Sequence, residues 1–142
     1  KLGRLMLKVV DVFGDQESGW AMPCVPFAGK GVGFFMLPPE KAWCWVEFEN
    51  GDPDYPIWSG CFWAAGETPT SSAEAEKKVI KTEAGTITLD ETAGKSGITI
   101  ETKEGMKIIM DMKGIEINDG KGGTIKLTGT KVSINDGALE VT

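Results

Sequence analysis

From residue 87 to the C-terminal end the chain repeats one small unit: an apolar residue, a polar residue, an apolar residue, then a glycine- or asparagine-rich corner. The apolar pairs are Ile87/Leu89, Ile98/Ile100, Ile108/Met110, Ile115/Ile117, Ile125/Leu127, Val132/Ile134 and Leu139/Val141. Their first members are separated by 11, 10, 7, 10, 7 and 7 residues. Gly94, Gly97, Gly105, Gly114, Gly120, Gly129 and Gly137 punctuate the pairs. This is a quasi-repeat of very short strands with a turn at each corner. A period of two places both members of a pair on one face of their strand. The result is a thin aliphatic row, and nothing bulky in this half of the chain can cover it.

The row needs a cover, because burying an aliphatic side chain contributes roughly 1.5–3 kcal/mol. A single chain coiling as a solenoid is one solution, although this length allows only about three turns, near the lower limit for such folds. The other solution wraps identical chains around one axis, with the rows meeting inside and the strand edges pairing between chains. The burial argument favours the second. The charged residues Lys107, Lys113, Glu116, Lys126 and Lys131 then read as a solvated outer face. Ile109 and Met112 fall out of step with the row.

The first half is a different material. All 12 aromatic residues lie between Phe13 and Trp63, all 7 prolines between Pro23 and Pro69, and all 3 cysteines in the same half. From Ile80 onward there are 10 isoleucines and no aromatic residue, proline or cysteine. Residues 64–72 are small, polar and turn-forming, and read as the connection. A short helical stretch is conceivable around residues 73–78. Before the connection, strands are expected over residues 4–13, 20–27, 34–37, 42–48 and 57–63. Pro23 and Pro26 suggest an edge or a bend, and Gly60 is placed for a bulge. Alternation puts Trp43, Trp45 and Glu47 on one face, and Ala42, Cys44, Val46 and Phe48 on the other. Five short strands in so little chain fit a small Greek-key barrel of the OB type. The expected division is an OB-fold domain at 1–65, a linker at 66–78 and a β-helix needle at 79–142.

Charge and composition exclude several functions. The net charge is −6, which argues against a dedicated duplex-DNA binder and against a polybasic membrane module. The tryptophans invite a stacking platform for single strands, but residues 1–65 carry 5 basic and 8 acidic side chains, the wrong sign for one. Core, trimer or hub contacts explain the tryptophans better. There is no histidine, which removes His-dependent nucleophilic machinery and His-ligated metal. Cys24, Cys44 and Cys61 are odd in number and lack Cys-x-x-Cys spacing, so they read as three buried, reduced hydrophobes. The loop at residues 29–33 lacks phosphate-loop spacing. The carboxylate pairs Glu47/Glu49 and Asp52/Asp54 read as solvated surface, and residues 118–123 as turn chemistry with no calcium repeat. No apolar run is long enough for a transmembrane helix, and no secretory h-region is present. The first residue is Lys1, so the chain is expected to be a fragment or a processed product.

Two stretches carry a resemblance. Residues 45–60 read Trp45-Val46-Glu47-Phe48-Glu49-Asn50-Gly51-Asp52-Pro53-Asp54-Tyr55-Pro56-Ile57-Trp58-Ser59-Gly60, a strand–turn–strand with a Gly-Asp-Pro turn. Residues 131–141 read Lys131-Val132-Ser133-Ile134-Asn135-Asp136-Gly137-Ala138-Leu139-Glu140-Val141. Together with the intervening Gly-Thr-Ile-Thr-Leu and Gly-Ile-Thr-Ile segments, they resemble the central spike proteins of contractile injection machines. That family comprises phage baseplate assembly protein V, the cell-puncturing spikes of tailed phages and the VgrG proteins of type VI secretion.

The resemblance implies an all-β homotrimer: an N-terminal OB-fold barrel followed by an intertwined, triple-stranded β-helix. It implies a non-enzymatic, mechanical role in breaching a target membrane, with slow unfolding. It implies no cofactor, hub or tube proteins as partners, and no nucleic acid. The particle would be a virion or an injection machine, made in the host cytoplasm. The tip at residues 140–142 would be bare or would seat a PAAR-like cap. No stretch is long enough to be a peptidoglycan-cleaving domain, and a histidine-ligated tip iron is excluded. The trimer core would be Ile87, Leu89, Ile98, Ile100, Ile108, Met110, Ile115, Ile117, Ile125, Leu127, Val132, Ile134, Leu139 and Val141. The alternatives are a monomeric OB-type nucleic-acid module and a β-solenoid adhesin or fibre protein.

Overall fold

The corners of the second half are closed by aspartate and asparagine side chains that accept backbone N–H groups two residues on. The acceptors are Asp90 Oδ1 from Thr92, Asp111 Oδ1 from Lys113, Asn118 Oδ1 from Gly120 and Asp119 Oδ1 from Lys121. These are Asx turns, the local alternative that such residues offer to continuing a strand. Between the corners the computed structural model, which describes residues 2–70 and 74–141, runs as strands. They are β6 (Lys77–Lys81), β7 (Gly85–Asp90), β8 (Gly97–Thr102), β9 (Lys107–Asp111), β10 (Gly114–Asn118), β11 (Thr124–Thr128), β12 (Lys131–Ile134) and β13 (Leu139–Val141). Each pairs antiparallel with its sequence neighbour, so the eight strands form one meander from β6 to β13. Every expected apolar pair lies in a strand of this sheet. Residues 77 and 78 belong to β6 and not to a helix; residue 73 of the suggested helical stretch lies outside the described residues.

The chain divides into two compact units between Glu67 and Thr68. In the first unit the strands are β1 (Met22–Pro23), β2 (Ala28–Gly29), β3 (Val32–Gly33), β4 (Trp43–Phe48) and β5 (Pro56–Phe62). β4 and β5 form an antiparallel hairpin, and β1 pairs in parallel on the far side of β5. Asn50 and Gly51 turn the hairpin with φ of 53° and 77°. Asp52 Oδ1 accepts the N–H of Asp54, which gives this carboxylate a turn role. Pro23 sits in the edge strand β1, where its missing donor costs nothing. The register of β4 and β5 slips between Cys44 and Val46, so that Ser59 and Gly60 together oppose Trp45. Gly60, at φ 118°, is therefore the bulge residue that its position suggested.

Several expectations fail here, among them the strand over residues 20–27, of which only Met22–Pro23 is formed. No barrel closes among the described residues; the unit holds a three-stranded sheet and a two-residue hairpin, β2–β3. Residues 4–13 do not form one strand. Leu5 bridges Ala21, and Leu7 is pinned to Ser18 through N–H to Oγ (3.0 Å) and through its carbonyl (2.8 Å). The chain then enters a helical turn, α1 (Val10–Phe13), ended by Gly14 at φ 60°. Val9, Val12 and Phe13 share a face at helical spacing, which the apolar run concealed. Residues 34–37 carry no strand; Pro38 and Pro39 follow at once, lack donors and restrain what precedes them.

The first unit's core is Leu7, Ala21 and Trp58, with Leu5, Val9, Val25, Cys44 and Val46 packed against it. Trp58 Nε1 donates to the Gly3 carbonyl at 3.0 Å, which satisfies the buried indole. Of the tryptophans only Trp58 is core; Trp20, Trp43, Trp45 and Trp63 are exposed. The cysteines also depart from expectation: Cys24 and Cys61 are exposed and Cys44 is half-buried. Cys61 lies near the end of the hairpin, past the bulge, where the small core no longer covers it.

Candidate functional site

The meander's register aligns its apolar residues across the whole sheet. One lateral row runs through successive cross-strand partners Ile80, Ile87, Ile100, Ile108, Ile117, Ile125, Ile134 and Leu139. The parallel row runs Lys78, Leu89, Ile98, Met110, Ile115, Leu127, Val132 and Val141. Both rows share one face, because side chains on one strand alternate and cross-strand partners point the same way. All 14 candidate core positions lie on this face by register; the side chain of Val141 is outside what is described. Ile80 extends the first row by one strand. The sequence signal for it was weak, since Lys78 occupies the place where its apolar partner would stand.

The opposite face runs Val79, Thr88, Thr99, Ile109, Glu116, Lys126 and Ser133. Ile109 is out of step because it belongs to this face, between Thr99 and Glu116. Met112 is in the β9–β10 turn and is 74% exposed. Lys107 pairs with Glu101 at 2.8 Å and Lys126 with Asp136 at 2.5 Å. Lys78 pairs with Glu91. Exposed pairs of this kind contribute about 0–1 kcal/mol each, so they serve solubility more than stability.

Burial in the single chain is inside out. In β7, β8, β10 and β11 the isoleucines and leucines are exposed, while Thr88, Thr99, Glu116 and Lys126 between them are half-buried. The apolar face is 37% exposed at Ile87 and 43% at Ile117. Among the described residues every buried hydrophobic belongs to the first unit, and the meander has none. Part of the face is concave, with a groove of about 510 Å³ lined by Ile100, Met106, Ile108, Ile117, Ile125 and Ile134. Monomers rarely leave an aliphatic patch of this extent open. At the groove's edge Asp119 Oδ1 accepts N–H groups from Lys121 and Gly123, both at 2.8 Å. These two N–H bonds hold the Asp119 carboxyl below the usual aspartate value. They are turn chemistry, as residues 118–123 suggested. Among the described residues no three His, Cys, Asp or Glu side chains converge as a metal site.

The two units define a class: an all-β protein whose second unit is an antiparallel meander with an uncovered aliphatic face. Comparison with known families specifies it. Residues 77–140 match the phage baseplate V C-terminal trimerisation domain. Residues 1–63 match the type VI secretion system/phage-baseplate injector OB domain. The chain belongs to the phage baseplate V and VgrG-like spike family, whose members are structural proteins of virions or injection machines. It is 31% identical over 113 residues to the actin cross-linking toxin VgrG1 of Vibrio cholerae serotype O1, covering 74% of this chain and 10% of that protein. It is 28% identical over 100 residues to the type VI secretion system spike protein VgrG4b of Pseudomonas aeruginosa, covering 67% of this chain and 12% of that one. The match thus spans about a tenth of the length of these relatives.

Proposed function

We propose that this chain is the central spike segment of a contractile phage tail or related injection machine, acting mechanically as a homotrimer. In this reading residues 79–142 are the needle, an intertwined triple-stranded β-helix. Residues 66–78 connect it to the OB domain of residues 1–65, which meets the hub or tube proteins. The needle points at the target membrane, and its far end is the place for a PAAR-like cap. The candidate core residues face the threefold axis, with no enzymatic step, no cofactor and no nucleic acid.

The observation that carries the reading is the inverted burial of the meander. One apolar row crosses all eight strands and a second crosses β7 to β13, and both stay largely open in one chain, while Lys107 and Lys126 on the opposite face are ion-paired. Three copies placed around an axis would cover both rows and would supply partners for the free edges of β6 and β13. Match of the same residues to a trimerisation domain supports the stoichiometry.

The test is absolute mass in solution by size exclusion with light scattering. A trimer gives about 46 kDa, three times the 15.3 kDa of one chain. A stable monomer at micromolar concentration would overturn the needle reading.

A further inference from the structure

We propose that Cys44 and Cys61 form a dithiol oxidation site, closing to an intrachain disulfide with a small-molecule disulfide such as oxidised glutathione as co-reactant. The inference rests on the hairpin alone and not on the spike reading. Cys44 and Cys61 are direct cross-strand partners in the antiparallel β4–β5 pair. Directly opposed residues point to the same side of a sheet.

The pair also stands at the favourable kind of site. Trp58 gives its carbonyl to the Cys24 N–H of the neighbouring strand, so Val46 and Trp58 exchange no hydrogen bonds with each other. Along β4, which carries no extra residue, the direction of the backbone groups alternates. Cys44, two residues from Val46, therefore also turns its N–H and C=O away from β5. Opposed residues at such positions have Cα atoms about 4.5 Å apart, within the range that a disulfide spans. Cys24 sits beyond β1 and has no cysteine opposite it.

Access favours the chemistry. Cys61 is exposed and Cys44 half-buried, so Cys61 meets the oxidant first. Its thiolate attacks one glutathione sulfur and displaces a glutathione thiolate. The Cys44 thiolate then attacks the Cys61 sulfur, and the second glutathione leaves. Two electrons pass from the cysteine sulfurs to glutathione, and the two thiol protons end on the released glutathione thiols or in solvent. Burial raises both thiols above their ordinary value, and Cys61 raises Cys44 further, so the exchange needs mildly alkaline pH to supply the attacking thiolate. The physical use is a staple. Among the described residues the first unit's buried apolar core is Leu7, Ala21 and Trp58, and units with small cores gain most from a cross-link.

The experiment incubates the folded full chain with oxidised glutathione at mildly alkaline pH, then alkylates remaining thiols and maps the peptides. The expected result is an intact mass lower by two hydrogens, loss of two of the 3 alkylatable thiols, and one cross-linked Cys44–Cys61 peptide. Cys24→Ser should form the same cross-link to the same extent, and Cys61→Ser should form none. Phenylarsine oxide, which bridges two sulfurs, should be retained by the wild type and by Cys24→Ser and lost from Cys61→Ser. Stable glutathione adducts on Cys61, a disulfide through Cys24, or a disulfide between chains would each overturn the proposal.

Discussion

A Cβ atom built on Gly114 would lie 1.9 Å from the carbonyl oxygen of Leu127. Gly114 opens β10 at φ 141°, and Leu127 belongs to the next strand, paired with Ile115. Only a residue without a side chain lets the β9–β10 corner turn this tightly against β11. Gly114→Ala should therefore cost more than about 1 kcal/mol, the penalty combining positive φ with a backbone clash. Gly94→Ala is the control, because its φ of 76° carries strain but nothing stands within 4 Å. Thermal unfolding of the two variants should show the larger loss at Gly114.

The two faces of the meander should respond oppositely to a new charge. Ile117→Asp and Ile100→Asp place a carboxylate in the apolar row, where three copies would bury it without a partner. The expected outcome is loss of the trimer, read as the mass of one chain by light scattering. Thr99→Asp, on the opposite face beside Ile109, should keep the mass of three. Equal behaviour of the two faces would refute the inward assignment.

Acid should loosen one corner before the rest. Asp119 has its pKa lowered, mainly by the N–H groups of Lys121 and Gly123. A carboxylate with a depressed folded-state value stabilises above the ordinary aspartate value of 3.8. That contribution is lost as pH falls below 3.8 and through the lowered value. Protection of the Lys121 and Gly123 amides, taken relative to the intrinsic exchange rate at each pH, should fall in that window. Asp119→Ala should show low protection at all pH values, and an unchanged acid response in this variant would assign the effect elsewhere.

Trp58→Phe tests the first unit. The ring is buried, and its Nε1 donates to the Gly3 carbonyl at 3.0 Å across 55 positions of chain. Phenylalanine keeps most of the packing and leaves that carbonyl without its donor, at a cost of about 1–3 kcal/mol. Urea unfolding followed by circular dichroism should show the lowered midpoint.

Local pattern alone determined β7 to β13 and their corners, because alternation and Asx turns act within a few residues; β6 was not legible in this way. The pairs from Ile87/Leu89 to Leu139/Val141 are all in strands, and the Gly60 bulge and the Trp43/Trp45 face follow from spacing in the same way. What the sequence could not carry were relations set by distant partners. Residues 4–13 look like a strand, yet Leu7 is held by Ser18 and the chain then turns helical at Val10. The cysteines look like core, yet the core ends before Cys61. The apolar row was legible as a row, but its alignment across eight strands depends on cross-strand register, which turn geometry and pairing decide together. Ile80 joins the aliphatic face for that reason alone. Ile109 leaves it, because one step along a strand moves a side chain to the other side of the sheet.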